Sequence, residues 1–142
     1  MKGKLTITRS FYFDAAHSLP FHDGKCKRQH GHTYRLDVTV SSFVGSEEDV
    51  DSQLLQDGPE SGMIVDFTAL KQVVESWIVS RFDHGNLNNY FSSPTCEVII
   101  IMIAERLVEP LKEKRVILEK LDLWETIAPH ENKCTLTLFP PS

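Results

Sequence analysis

Cysteine is scarce in this chain: three residues, at positions 26, 96 and 134. An odd, small number builds no disulfide framework and fits reduced thiols. Long apolar runs are also missing. The longest, Val98 to Ala104, is far too short to span a bilayer. Positive charge is nowhere concentrated, and the formal net charge is -5, which argues against nucleic acid as the main partner. The first residues, Met-Lys-Gly-Lys-Leu-Thr-Ile, carry no apolar core and no cleavage site, so no signal peptide is read. No internal repeat or low-complexity segment stands out. These absences lead to the expectation of a soluble, cytoplasmic protein with neither a membrane nor a nucleic-acid partner.

What is present is ordinary in bulk. The 142 residues, 41% hydrophobic and 25% charged, fit one domain with chain enough to bury a core. The informative stretch is Cys26-Lys-Arg-Gln-His30-Gly-His32, with His17 upstream. His30 and His32 are two apart, so on a strand both imidazoles leave one face. Three neutral imidazoles are a ligand set for Zn²⁺ that leaves a position open for substrate or water. A lone strand histidine is usually a satisfied core or surface residue; three at the ends of two apolar faces favour a metal. Cys26 has three readings that spacing leaves level: a fourth ligand closing the site, a reactive thiol beside Lys25, Lys27 and Arg28, or an ordinary loop thiol.

Hydrophobic periodicity gives the order ββααββ. Leu5, Ile7, Phe11, Phe13, Ala15 and His17 share one parity, broken by Arg9, and predict a strand from Lys4 to His17. Residues 18 to 29 carry Pro20 and Gly24 and read as a loop. His30, His32, Tyr34, Leu36, Val38 and Val40 predict a second strand on which the histidines extend the apolar face. Residues 44 to 62, acidic and glycine-containing, read as a long, mobile connection. A first helix is capped by Asp66 and buries Leu70, Val73, Val74, Trp77 and Ile78. After a polar loop, 82 to 89, Ser93-Pro94 opens a second helix with proline at its first position. That helix is apolar nearly all round and should be covered on several sides. Two strands close the chain, one with Ile117, Leu121, Leu123, Glu125 and Ile127 on one parity and Glu119 as the exception, the other with Cys134, Leu136 and Leu138. The expected fold is a single α+β domain over residues 1 to 142, a four-stranded, mostly antiparallel sheet with two helices on one face.

Three carboxylates and one further histidine are candidates for chemistry. Asp83-His84 pairs an acid with an imidazole, which suits proton transfer, although such residues are also common in turns. Glu97 falls in the first turn of the second helix, where it simply complements the dipole. Glu125 continues an apolar parity, where a carboxylate needs a partner; a ligand with two parallel N–H donors, or a lysine or arginine, would supply one.

Six segments, in order, resemble the 6-pyruvoyl-tetrahydropterin synthase family, which includes the 6-carboxy-tetrahydropterin synthases of the queuosine pathway. They are Phe13-Asp-Ala-Ala-His17, Cys26-x-x-x-His30-Gly-His32, Gly62-Met-Ile-Val-Asp66-Phe-Thr-Ala-Leu-Lys71, Asp83-His84-x-x-Leu87-Asn88, Pro94-Thr95-x-Glu97 and Glu125-Thr126. The resemblance implies the tunnelling fold, with trimers closing a β-barrel, two trimers forming a homohexamer, and active sites between subunits. It implies Zn²⁺ on His17, His30 and His32, with Cys26 as proton acceptor, Asp83 and His84 as a proton relay, and Glu125 both relaying and holding a small-molecule pterin. It places Thr95 and Glu97 in the pterin pocket. The three residues between Cys26 and His30 resemble the carboxy branch, which makes 6-carboxytetrahydropterin, acetaldehyde and triphosphate from dihydroneopterin triphosphate. The pyruvoyl branch and a non-catalytic pterin-binding relative are the alternatives; a bare scaffold needs none of Cys26, Asp83, His84 and Glu125. An unrelated zinc hydrolase would call for a glutamate soon after His32, and residues 33 to 43 hold none. The connection at 44 to 62 and the tail after Thr126 depart from the family pattern.

Overall fold

A computed structural model describes residues 3–44 and 61–139. Strand β1 (Gly3–His17) and strand β2 (His30–Val44) pair antiparallel along their whole length, Gly3 opposite Val44 and His17 opposite His30. Alternation does the work here. Phe11, Phe13, Ala15 and His17 of β1 and Tyr34, Leu36, Val38 and Val40 of β2 are all buried on one face. The other face carries Tyr12, Asp14, Thr33, Arg35 and Asp37. The expected connection at 44 to 62 lies outside the described residues apart from its ends.

Helix α1 (Phe67–Val74) starts on the Asp66 carboxylate, which accepts the Thr68 N–H at 2.8 Å. It runs on through a π-helical turn (Glu75–Val79) and a last turn (Ser80–Phe82). That wider turn corrects one expectation. Trp77 rotates off the core face and is 41% exposed, with Arg81 over its ring, while Ile78 is fully buried. Helix α2 (Cys96–Glu113) is capped by Thr95, whose hydroxyl accepts the Val98 N–H, so Pro94 precedes the helix instead of opening it. Its buried stripe is Ile99, Ile100, Ile103, Ala104, Leu107 and Leu111; Val98, Ile101 and Val108 remain on the open side.

Between the helices, Gly85–Asn86 form a two-residue strand, β3, parallel to β1 at Ala15 and Ala16. The sheet thus has five strands, in the order β3-β1-β2-β4-β5, with β4 (Ile117–Thr126) and β5 (Asn132–Thr137) antiparallel as expected. Parity within β4 is not continuous. Thr39 faces Lys120 but Val40 faces Leu118, so Glu119 is an extra residue, a bulge. Leu118 is therefore buried and Ile117 is exposed, the reverse of the simple alternation. A second shift leaves Glu125 unpaired with β5, between Trp124 opposite Lys133 and Thr126 opposite Asn132.

Candidate metal centre and flanking cleft

The β1–β2 register brings three histidines together. His17 and His30 are directly opposed, and His32 stands opposite Ala15, one residue pair further in on the same face. Their rings meet edge to face with centroids 4.5 to 5.0 Å apart, and their ligating nitrogens lie within 4.8 Å of one another. His17 is fully buried, the other two partly so. Among the described residues, no sulfur or carboxylate oxygen lies within that distance of all three.

Hydrogen bonding fixes the tautomers. His17 Nδ1 is 2.9 Å from the Pro94 carbonyl, and His30 Nδ1 is 2.7 Å from the Arg28 carbonyl. A carbonyl only accepts, so each Nδ1 carries its hydrogen and each neutral ring presents a bare lone pair at Nε2. Those two Nε2 atoms face each other at 2.9 Å. His32 Nε2 is buried without a hydrogen bond, its contact with Glu125 Oε1 at 3.4 Å being unaligned for one. Burial lowers the His32 pKa, the neighbouring histidines add to this and Glu125 opposes it, so the neutral, ligating form is favoured. Lone pairs aimed at one another and an orphaned third are what a cation resolves, and backbone carbonyls on the outer nitrogens are usual for metal-bound imidazoles. The donor set fits a Zn²⁺-type ion.

Sequence reasoning missed the supports of this trio. Tyr34 continues its parity, is fully buried, stacks on Phe13 and places its hydroxyl 3.4 Å from His17 Nδ1. Burial, helped by Glu125, pushes its phenol pKa well up. The parity His30, His32, Tyr34 was the available signal; the two carbonyls have none.

Asp83 and His84 form a second group, with Asp14. Asp14 leaves β1 on the face opposite His17. The Asp14 N–H donates to Asp83 Oδ1 at 2.9 Å, and the His84 N–H donates to the Asp14 carbonyl at 2.6 Å. His84 adopts a left-handed backbone, φ 60°, and Gly85 follows where a Cβ would stand 3.0 Å from the Phe82 carbonyl oxygen. The His84 ring, 80% exposed, has its Nδ1 3.0 Å from Asp83 Oδ2. Asn88 closes this corner, accepting the Ser18 N–H and donating to the Ser18 carbonyl. A cleft of about 420 Å³ has both His32 and His84 in its wall, together with Asp14, Thr33 and Gly85.

The remaining candidates belong to neither cluster. Cys26 sits in a 3-10 turn (Lys25–Lys27), its carbonyl accepting the Leu19 N–H. Glu125, aimed by its bulge, reaches His32. Thr95 is occupied as the cap of α2, and Glu97 is exposed in the first turn. Neither lines the cleft.

A family profile described as 6-pyruvoyl tetrahydropterin synthase matches residues 6–135. The chain belongs to the 6-pyruvoyl tetrahydropterin synthase family. It is 39% identical over 105 residues to a 6-carboxy-5,6,7,8-tetrahydropterin synthase of Synechocystis, covering 72% of this chain and 74% of that one. A putative 6-carboxy-5,6,7,8-tetrahydropterin synthase of Archaeoglobus fulgidus is 36% identical over 89% of this chain and 98% of its own. A dihydroneopterin monophosphate aldolase of Pyrococcus furiosus is 34% identical over 88% and 91%. Among solved structures, the Caenorhabditis elegans 6-pyruvoyl tetrahydropterin synthase superposes with a TM-score of 0.71 at 26% identity, covering 96% of this chain and 97% of that one. The α+β tunnelling fold of the 6-pyruvoyl tetrahydropterin synthase family is therefore the fold of this chain. No helix among the described residues is long and apolar enough to cross a membrane.

Proposed function

We propose that the chain is a zinc-dependent 6-carboxy-5,6,7,8-tetrahydropterin synthase, converting 7,8-dihydroneopterin triphosphate and one water to 6-carboxytetrahydropterin, acetaldehyde and triphosphate. The observation that carries this is the pair of opposed Nε2 lone pairs of His17 and His30, with the unbonded Nε2 of His32 beside them. The relatives at 39% and 36% identity support the branch.

His17, His30 and His32 would hold the ion; Zn²⁺ bound there supplies Lewis acidity toward the side-chain hydroxyls of the substrate. Glu125 would accept the paired N–H donors of the pterin 2-amino group and ring, with Thr95 and Glu97 at the start of α2 as further pocket residues. Cys26, as thiolate, would take a proton at the substrate side chain. His84, oriented by Asp83, would carry protons to and from the hydroxyls as triphosphate leaves. The exposure of the His84 ring supports a site completed between subunits. Val98, Ile101 and Val108 on the open side of α2, and sheet edges at β3 and β5 that are unpaired among the described residues, support burial in a homohexamer of two trimers.

The test is incubation of the zinc-loaded protein with dihydroneopterin triphosphate and mass analysis of the pterin product. The carboxy product is expected, and a pyruvoyl product would move the chain to the other branch. The Pyrococcus relative favours a second reading, aldol cleavage of dihydroneopterin monophosphate. Turnover of the monophosphate with the triphosphate left intact would replace the proposal by that one.

A further inference from the structure

Cys96 and Cys134 take no part in the chemistry above, yet their sulfurs are 3.2 Å apart. Cys96 is the first residue of α2, between the cap Thr95 and Glu97. Cys134 lies on β5 opposite Leu123, whose carbonyl accepts from the Cys96 thiol at 3.4 Å. Both are free and half-buried, and the third cysteine, Cys26, is in the Lys25–Lys27 turn. The gap exceeds an S–S bond, about 2.0 Å, by roughly 1 Å. We propose that Cys96 and Cys134 form a dithiol that a two-electron oxidant, a peroxide or a small disulfide, closes into an intramolecular disulfide fastening the start of α2 to β5.

The step balances without a cofactor. Two S–H bonds break and one S–S bond forms. Hydrogen peroxide takes the two electrons and two protons and leaves as two waters, an alkyl hydroperoxide as an alcohol and one water; a small disulfide leaves as two thiols. Burial raises the pKa of both thiols, foremost for Cys96, so closure is slow and proximity drives it. The bond would act where it matters to the site. It pulls on the turn that carries Glu97 and follows Pro94, whose carbonyl holds His17 Nδ1. The two cysteines are 38 residues apart, so the closed form also restricts the unfolded chain and raises Tm by several degrees.

The full chain is treated with hydrogen peroxide over a time course, then denatured, alkylated and digested without reductant. The expected result is a mass loss of about 2 Da, a single cross-linked peptide containing Cys96 and Cys134, and recovery of both thiols on reduction. Cys134→Ser abolishes both the mass loss and the peptide. The proposal is overturned if Cys96 and Cys134 are alkylated in full while Cys26 has gained oxygen. A disulfide joining two chains through either residue overturns it equally.

Discussion

His17 and His30 face each other across the β1–β2 ladder with Nε2 atoms 2.9 Å apart and each Nδ1 committed to a carbonyl. Together with His32, the pair could hold a cation. About one zinc per chain is expected, and His32→Ala should lower metal affinity at least 10- to 100-fold. Metal analysis after dialysis reads this directly; a full complement in the variant would dismiss the assignment of the trio.

Cys26→Ala separates the readings of the thiol. With no sulfur among the described residues within 4.8 Å of all three imidazole nitrogens, the variant should bind zinc and pterin while product formation stops. Metal content and pterin binding are measured on the same preparation. Loss of the ion would make Cys26 a ligand and the centre a closed one.

The Asp83 carboxyl gives a pH signature. Its pKa is held below the ordinary carboxyl value, first by the Asp14 N–H and then by His84, with desolvation opposing. The unfolded chain therefore takes up this proton more readily than the folded one. Its contribution to stability is complete above the unfolded pKa, about 4, and disappears as pH falls through the lower folded value. Asp83→Asn should thus be less stable than the parent at neutral pH, with the gap closing in acid. Denaturant midpoints at a series of pH values test it, and a gap that widens on acidification would reverse the sign.

Neighbours on α1 should differ sharply. Ile78→Ala removes a fully buried side chain and should cost about 2–5 kcal/mol. Trp77→Ala, 41% exposed, should cost less than about 1 kcal/mol, mainly its contact with Arg81. Urea unfolding of both variants, compared at equal protein concentration, tests the difference; equal losses would put Trp77 on the core face with Ile78.

Much of this fold is written in alternation. The parity of Phe13, Ala15, His17 and of His30, His32, Tyr34 is enough to put three imidazoles on one buried face, because side-chain direction in a strand depends only on position. The site residues matching the family segments follow from that resemblance. What alternation hides are the interruptions. Glu119 stands out as a break in parity and Glu125 as a carboxylate on an apolar one, but neither pattern says that the strand carries an extra residue there, and the π-helical turn moves Trp77 by a fraction of a turn that spacing cannot resolve. The carbonyls of Arg28 and Pro94 are invisible for another reason: any residue has one, so only the folded path of the chain aims it.

The unbroken pairing of β1 with β2 divides the chain into places that tolerate length change and places that do not. The turn between His17 and His30 can gain or lose residues while the two strands keep their partners. One residue inserted between Phe11 and His17 would turn His17 to the outer face, leaving two imidazoles on the inner one. Drift in this lineage should therefore show up as loops of varied size around strands of constant count.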